Sequence, residues 1–343
     1  MKNKHSRIII ISLSIAIIVM GLVGALYFKY CHKLPIKDSV RVFIPSGSTY
    51  DAVLDTLSKH GCLEHKALFL TLSKLRGYPD HICGGSYLFT PETSVFAMLN
   101  RLYRGYQDPV RLTIGRHRTK ESLCRFLAAH LELDSADMMR HLNSDSVCQS
   151  YGLTPATIIS MFIQNTYEFY WTTNCESLMN RMHKESDIFW NEKRTKQAES
   201  LGLSAAEVIT LAAIVDEETN ADSEKPLIAS VYLNRLRKNI PLQADPTVRF
   251  AVGDFTLRRI TGQQLSVVSP YNTYTNLGLP PGPIVNPSIA SIDAVLANKQ
   301  TDYLFFCAKN DFSGTHTFAC DFKTHQRNAR NFHKALNKRN IYK

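Results

Sequence analysis

Near the middle of the chain, the run ITLAAIVDEETN (Ile209–Asn220) closes an almost uncharged helical pattern with three consecutive acids, Asp216, Glu217 and Glu218. A carboxyl can act as a general acid near neutral pH only if its surroundings disfavour the charged form, as apolar neighbours do. Helical spacing of about 100° per residue gathers Val208, Leu211, Ala212 and Val215 on one side, the expected core face. Glu217 then falls nearly opposite that face and is expected to be solvated. Asp216 and Glu218 flank it, with Glu218 angularly between Leu211 and Ile214. The wheel sets one acid aside and leaves two. Three acids at a helix C-terminus are otherwise an ordinary solvated end, slightly unfavourable against the helix dipole.

The neighbouring loops change that balance. LQADPTV, SPYNTY and GLPPGPIVNPS are rich in Pro, Gly and Asn and carry Gln243, Asn272, Thr273, Tyr274, Asn276 and Asn286. Amides and aromatic rings on loops suit sugar rings and acetamido groups, although each alone is ordinary turn chemistry. Asp245 precedes Pro246 in such a loop, where capping a turn is its expected role. No G-x-S-x-G, H-E-x-x-H or phosphate-cradling G-x-x-x-x-G-K is present, so no metal and no organic cofactor are expected.

The elements that must hold these residues are well punctuated. Ser204 and Glu207 form a capping-box pattern at the start of the acid-bearing helix. A second helix is expected from Pro226 to about Lys238. YLFFCA and THTFA read as two strands around the turn KNDFSG, and a basic helix closes the chain. Helices mixed with short antiparallel strands make the class α+β.

Upstream, VFIPSGSTYDAVLDTLSKHG (Val42–Gly61) reads as strand, turn and helix. LTIGRHRTKESLCRFLAAH echoes it seventy residues later, with Ile44 on Ile114, Thr49 on Thr119, Val53 on Leu123 and Leu57 on Leu127. A second echo at an offset of eighty sets MLNRLYRG on LMNRMHKE and Tyr87 on Tyr167. Two echoes in the same order imply a duplicated strand–helix–hairpin–helix unit. Residues 40–105 are expected to form a small domain, with the main boundary at 105–115 near RGYQDP.

The N-terminus carries its own signal. MKNKHSR precedes an apolar run from Ile8 to Phe28, and those twenty-one residues at about 1.5 Å each match a bilayer core of roughly 30 Å. The run exceeds the usual apolar segment of a signal peptide and no A-x-A site follows it, so an uncleaved anchor is expected. Lys2, Lys4 and Arg7 before the run nearly balance Lys29, Lys33 and Lys37 after it, so charge alone does not orient it.

The 343 residues, 44% apolar and 20% charged, are those of a globular protein with more than one core. The formal charge of +10 is spread out and accompanies no nucleic-acid-binding motif, so a nucleic-acid partner is not expected. Eight cysteines show no C-x-x-C pair and no zinc spacing. Cys62 with Cys83, or Cys307 with Cys320, can be bridged in an oxidising compartment, and the sequence alone leaves this open.

Taken together, LAAIVDEET, SVYLNRLRKNIPLQADPTV, SPYNTY, GLPPGPIVNPS and GTHTF resemble the endolytic lytic transglycosylases of bacterial cell walls, the MltG or YceG-like family. The resemblance covers nearly the whole chain. It implies residues 1–7 in the cytoplasm, a single inner-membrane span over 8–28, a LysM-like α+β subdomain over 40–105, and an extracytoplasmic catalytic region over 110–343 with its core motifs in 200–330. The family motif places the catalytic glutamate before Thr, here Glu218 before Thr219. Asp216 stands where the family usually has Glu and is expected to support it, as is Asp245. Gln243, Asn272, Tyr274 and His316 carry over as substrate-binding or scaffold positions, and TIGRHRT departs from the usual PEG turn.

The implied substrate is the MurNAc-β-1,4-GlcNAc bond in nascent peptidoglycan, cut to 1,6-anhydroMurNAc ends so that strand elongation stops. Wall-synthesis enzymes of the same membrane are the expected partners. A hydrolytic muramidase and a non-catalytic peptidoglycan-binding scaffold are the alternatives.

Overall fold

Thr49 and Thr119 each accept a hydrogen bond from the backbone N–H three residues on, at 3.3 and 3.1 Å, and so start equivalent helices. The computed structural model of the chain describes residues 2–30, 33–257, 260 and 262–339. Helix α1 (Lys2–Tyr30) is followed by β1 (Val40–Ile44), α2 (Tyr50–Lys59), α3 (Lys66–Leu75), β2 (Gly85–Phe89) and α4 (Val95–Arg104). The same order recurs as β3 (Val110–Ile114), α5 (Lys120–His130), α6 (Ser135–Asn143), α7 (Asp145–Ser150), β4 (Asn165–Phe169) and α8 (Cys175–Phe189).

The echoes in sequence are echoes in structure. Strands β1 and β2 pair antiparallel, and β3 pairs with β4. Ser94 caps α4 as Asn174 caps α8. The Tyr87 hydroxyl donates to the carbonyl of Cys83, and Tyr167 donates to that of Ile163, both four residues back. Between the matched positions Leu57 and Tyr87 lies a helix and a short 3-10 turn, not the expected hairpin. The second copy inserts α7 into this stretch, and the offset grows from seventy to eighty there.

The remaining elements are α9 (Glu192–Leu201), α10 (Ala205–Glu218), α11 (Lys225–Arg237), α12 (Asp245–Val252), α13 (Gly262–Leu265), α14 (Ile289–Leu296), β5 (Phe305–Ala308), β6 (His316–Ala319) and α15 (Phe322–Lys338). The chain is thus mixed α+β, with three two-stranded sheets among the described residues. Strands β5 and β6 form the expected antiparallel hairpin.

Two compact units divide the chain. One comprises Met1–Leu112, His130–Glu132 and Glu168–Thr173, and the other Thr113–Ala129, Leu133–Tyr167 and Asn174–Lys343. The first has a core of Val42, Ile44, Val53, Leu57, Tyr87 and Leu102, among others. In the second, α10 packs against α11, α12 and α14. Helix α10 starts at the capping box of Ser204 and Glu207 and is buried at every position from Val208 to Asp216. It is therefore a core helix wrapped on all sides, rather than one with a single buried stripe.

In α1 the described side chains Ile11, Leu13, Ile15, Ile17, Ile18 and Val19 are all more than half exposed. The described apolar stretch is Ile11–Ala25, and no single helix among the described residues is long and apolar enough to cross a membrane. The described cysteines are free thiols, so neither Cys62 with Cys83 nor Cys307 with Cys320 is bridged. Cys31 lies outside the described residues.

Candidate active site

The three acids at the end of α10 have three separate environments, and none is the plain solvated end. Asp216 is buried and accepts hydrogen bonds from Ser288 (2.6 Å) and Ser291, with Lys225 at 3.3 Å and Arg116 at 3.5 Å. Burial alone would raise its pKa, but the two hydroxyls and then the two cations outweigh it and hold the carboxyl below its ordinary value. Glu217 was expected in solvent. Instead its side chain is 8% exposed, clamped by Arg118 through two 2.9 Å hydrogen bonds and approached by Arg116 at 3.0 Å. The wheel could not foresee this, because both arginines come from the TIGRHRT segment a hundred residues upstream.

Glu218 is the last residue of α10, since Thr219 turns into extended backbone and its hydroxyl accepts from the N–H of Ala221 at 3.0 Å. Its carboxyl lines a cavity of about 430 Å³, together with Tyr232, Arg235, Gln243, Asp245, Arg249 and Tyr274. Tyr232 of α11 donates to Glu218 Oε1 at 2.7 Å and is its one hydrogen-bond partner among the described residues. Burial pushes the Glu218 pKa up to about 7, with the Asp245 charge adding to the rise and the Tyr232 bond and Arg249 opposing it. Such a carboxyl still holds its proton near neutral pH.

The loops that frame the cavity are clasped together. Asn272 gives its amide hydrogens to the carbonyls of Leu265 and Val267, both at 2.9 Å, and its Oδ1 accepts from the Tyr274 N–H. Thr273 bonds the N–H of Ala244 and the Thr247 hydroxyl, while its carbonyl accepts from Gln243 N–H. These bonds carry the SPYNTY loop to the start of α12, and the Tyr274 hydroxyl reaches Asp245 Oδ1 at 2.5 Å. Asp245 itself is the first residue of α12 and makes no capping bond, contrary to the turn-capping expected of it. Gln243 has a φ of 53°, uncommon outside glycine, and its Oε1 accepts from Arg235.

Glu218, Gln243, Asp245 and Tyr274 therefore meet in one cleft. The others do not line it. Asn272 is buried with its amide spent on the loop, and Asp216 faces the contacts of Lys225 and Ser288. His316 gives its backbone N–H and its Nδ1 to Glu224, at 2.7 and 3.0 Å. Asn286, expected among the sugar-suited amides, instead holds Gly115, Phe162 and His117.

Sequence reasoning missed Tyr232, Arg235, Arg249 and the far wall of Phe305, Phe322 and His325. Tyr232 sits between Val231 and Leu233 and reads as a core residue, so nothing local marks its hydroxyl. Away from the cleft lining, Asp137, His141 and Cys175 bring one donor atom each within 4.8 Å of one another, but Asp137 is already paired with Arg140.

A cleft holding one protonated carboxyl among tyrosine hydroxyls, amides, guanidinium groups and aromatic rings is the kind of site that receives and cleaves a saccharide. The chain belongs to the YceG-like family, whose model matches residues 42–331. It is 28% identical over 309 residues to the endolytic murein transglycosylase of Bacillus subtilis (strain 168), covering 85% of this chain and 84% of that protein. It is 26% identical over 366 residues to the endolytic murein transglycosylase of Streptococcus pneumoniae (strain R6), and spans 95% of this chain but 65% of that protein. A crystal structure of a YceG-like protein from Listeria monocytogenes is similar with a TM-score of 0.56 at 26% identity, covering 85% of this chain and 99% of that one.

Proposed function

We propose that this chain is an endolytic murein transglycosylase that cuts the MurNAc-β-1,4-GlcNAc bond within peptidoglycan strands, with Glu218 as its catalytic acid and base. The observation that carries this reading is that Glu218, alone of the three acids, faces the cleft without a cationic clamp and with its pKa pushed up to about 7. Glu218 gives its proton to the leaving glycosidic oxygen as the C1–O bond breaks. The muramic C6 hydroxyl then bonds to C1, and its proton passes to the Glu218 carboxylate, which restores the acid. Atoms balance without water, and the product is a 1,6-anhydro end. Tyr232 holds Oε1, so Oε2 is the oxygen free to carry the proton. Gln243 and Tyr274 are placed to hold substrate, Asn272 and His316 to hold the loops, and Asp216 to anchor the end of α10.

Asp245 lines the same cleft, and this favours a second reading, a hydrolytic muramidase. Glycoside hydrolases pair an acid with a nucleophile or water-activating base. Asp245 already accepts the Tyr274 hydroxyl, which supports a positioning role. Mass spectrometry of the products separates the readings, since an anhydro end is lighter than a reducing end by one water. Reducing ends would overturn the transglycosylase reading.

The rest of the chain fits an enzyme held at its substrate. The exposed apolar side chains of Ile11–Ala25 support a single inner-membrane anchor over 8–28, with the remainder outside the cytoplasm. The strand–helix–helix–strand order of β1 to β2 supports a LysM-like, glycan-positioning subdomain over 40–105. Wall-synthesis enzymes in that membrane are the partners this placement suits.

A further inference from the structure

Arg249 stands on α12 at the edge of the Glu218 cleft and also borders a neck of about 20 Å³ with Arg118, Glu217, Pro246, Phe255 and Ile284. Its Nε is buried without a hydrogen-bond partner, and its guanidinium has no ion pair among the described residues. Of the nearby acids, Glu218 feels its charge but makes no hydrogen bond to it, and the other two are spent elsewhere. Glu217 is taken by Arg116 and Arg118, and Asp245 by Tyr274. A buried Nε–H left without an acceptor costs stability unless something supplies one.

Beyond the neck, and sharing Arg118 and Phe255 with it, opens a second cavity of about 410 Å³. Phe250, Phe255 and Tyr271 give it an aromatic wall, with the Phe250 and Tyr271 rings 4.7 Å apart. Arg118 lies over the Phe255 ring, and Lys120 lines the floor with its Nζ held by the Leu142 carbonyl and Asn143. Glu121 is the one acid in the lining. Arg118 over the Phe255 ring, with the unpartnered Arg249 Nε at the entrance, suits a branch that carries carboxylates on short aliphatic segments, and suits a neutral sugar less.

We propose that this annex is a binding site for the acidic peptide stem that substitutes muramic acid, with Arg249 holding a stem carboxylate at the entrance. The inference rests on the glycan reading above, because it needs a muramic residue in the adjoining cleft. On that geometry the enzyme discriminates strands by their substitution: those carrying stems bind more tightly than those stripped of them. Arg249 is a specificity residue here, since it acts on a part of the substrate remote from the bond that breaks.

The test uses the full chain in detergent, with Glu218→Gln to suppress turnover. Calorimetry compares soluble glycan oligomers bearing linear, uncross-linked stems with the same oligomers after an amidase has removed the stems. The stem-bearing oligomers are expected to bind about tenfold more tightly, as one well-placed guanidinium–carboxylate pair allows. Adding Arg249→Gln, or separately Phe255→Ala, should shrink that ratio several-fold, with thermal melts showing that each variant folds. Equal binding of the two oligomers, or a ratio unmoved by both substitutions, overturns the stem site and leaves the glycan reading standing. Binding of neither oligomer overturns the glycan reading and the stem site with it.

Discussion

Glu218 owes its proton first to burial and second to the charge of Asp245, and the Tyr232 hydroxyl limits the rise. Replacing it by Gln keeps the shape and the Tyr232 contact but removes the proton, so the rate should fall by at least the ~10²–10⁴ typical of lost acid–base catalysis. Asp245→Asn should cost much less, and the pair of rates measured on purified strands checks both. The raised pKa also sets a dependence of stability on pH. Between the ordinary value of 4.5 and about 7, folded Glu218 keeps a proton that the unfolded chain releases. Stability is therefore fully present below that window and falls as pH rises through it, by at most about 3 kcal/mol. Glu218→Gln should melt higher than the parent at pH 8 and approach it at pH 4. A parent that melts alike at both pH values, against the same variant, would show that the carboxyl is not perturbed. Tyr232→Phe removes a bond that favours the charged form, so the alkaline limb of the rate profile should move to higher pH.

At the scale of elements, α10 delivers Glu218 because its two ends are fixed by different means. Ser204 and Glu207 close the N-terminal end reciprocally, and Thr219 leaves the helix at the other. The loops around it depend on close approach. A Cβ at Gly282, in GLPPGPIVNPS, would meet the Ala156 carbonyl oxygen at 2.1 Å, which is backbone and cannot swing aside. Gly282→Ala should therefore destabilise the chain by the 1–3 kcal/mol of an overpacked site or more, measured by chemical denaturation. Thr49 and Thr119 do the same capping work in the two copies of the repeat, each contributing about 1 kcal/mol.

For the whole molecule, the expectation concerns where the chain works. Removing residues 1–30 should leave a protein that folds, cuts soluble strands at an unchanged rate, and no longer sediments with membranes. Retention in the membrane fraction would place the anchor elsewhere. Protease added to spheroplasts should digest the region beyond residue 200, and protection would put that region on the cytoplasmic side.

Patterns that depend on near neighbours were open to reading in the sequence: the capping box, the β5–β6 hairpin, the doubled strand–helix order and the apolar N-terminal run. The angular position of each acid on α10 was open too, because it is local geometry, but the solvent expected around Glu217 was not there. What divides Glu218 from Asp216 is not local. Asp216 meets Lys225, Ser288, Ser291 and Arg116, and Glu218 meets Tyr232 and Asp245, from helices and loops up to a hundred residues away. Glu217 shows the limit most plainly, because a helix wheel assigns it to solvent while Arg116 and Arg118 bury it in an ion cluster. A residue's type and period fix which way it points from its own helix. What stands there to receive it is decided only when distant segments pack, and a carboxyl's charge state depends on that company.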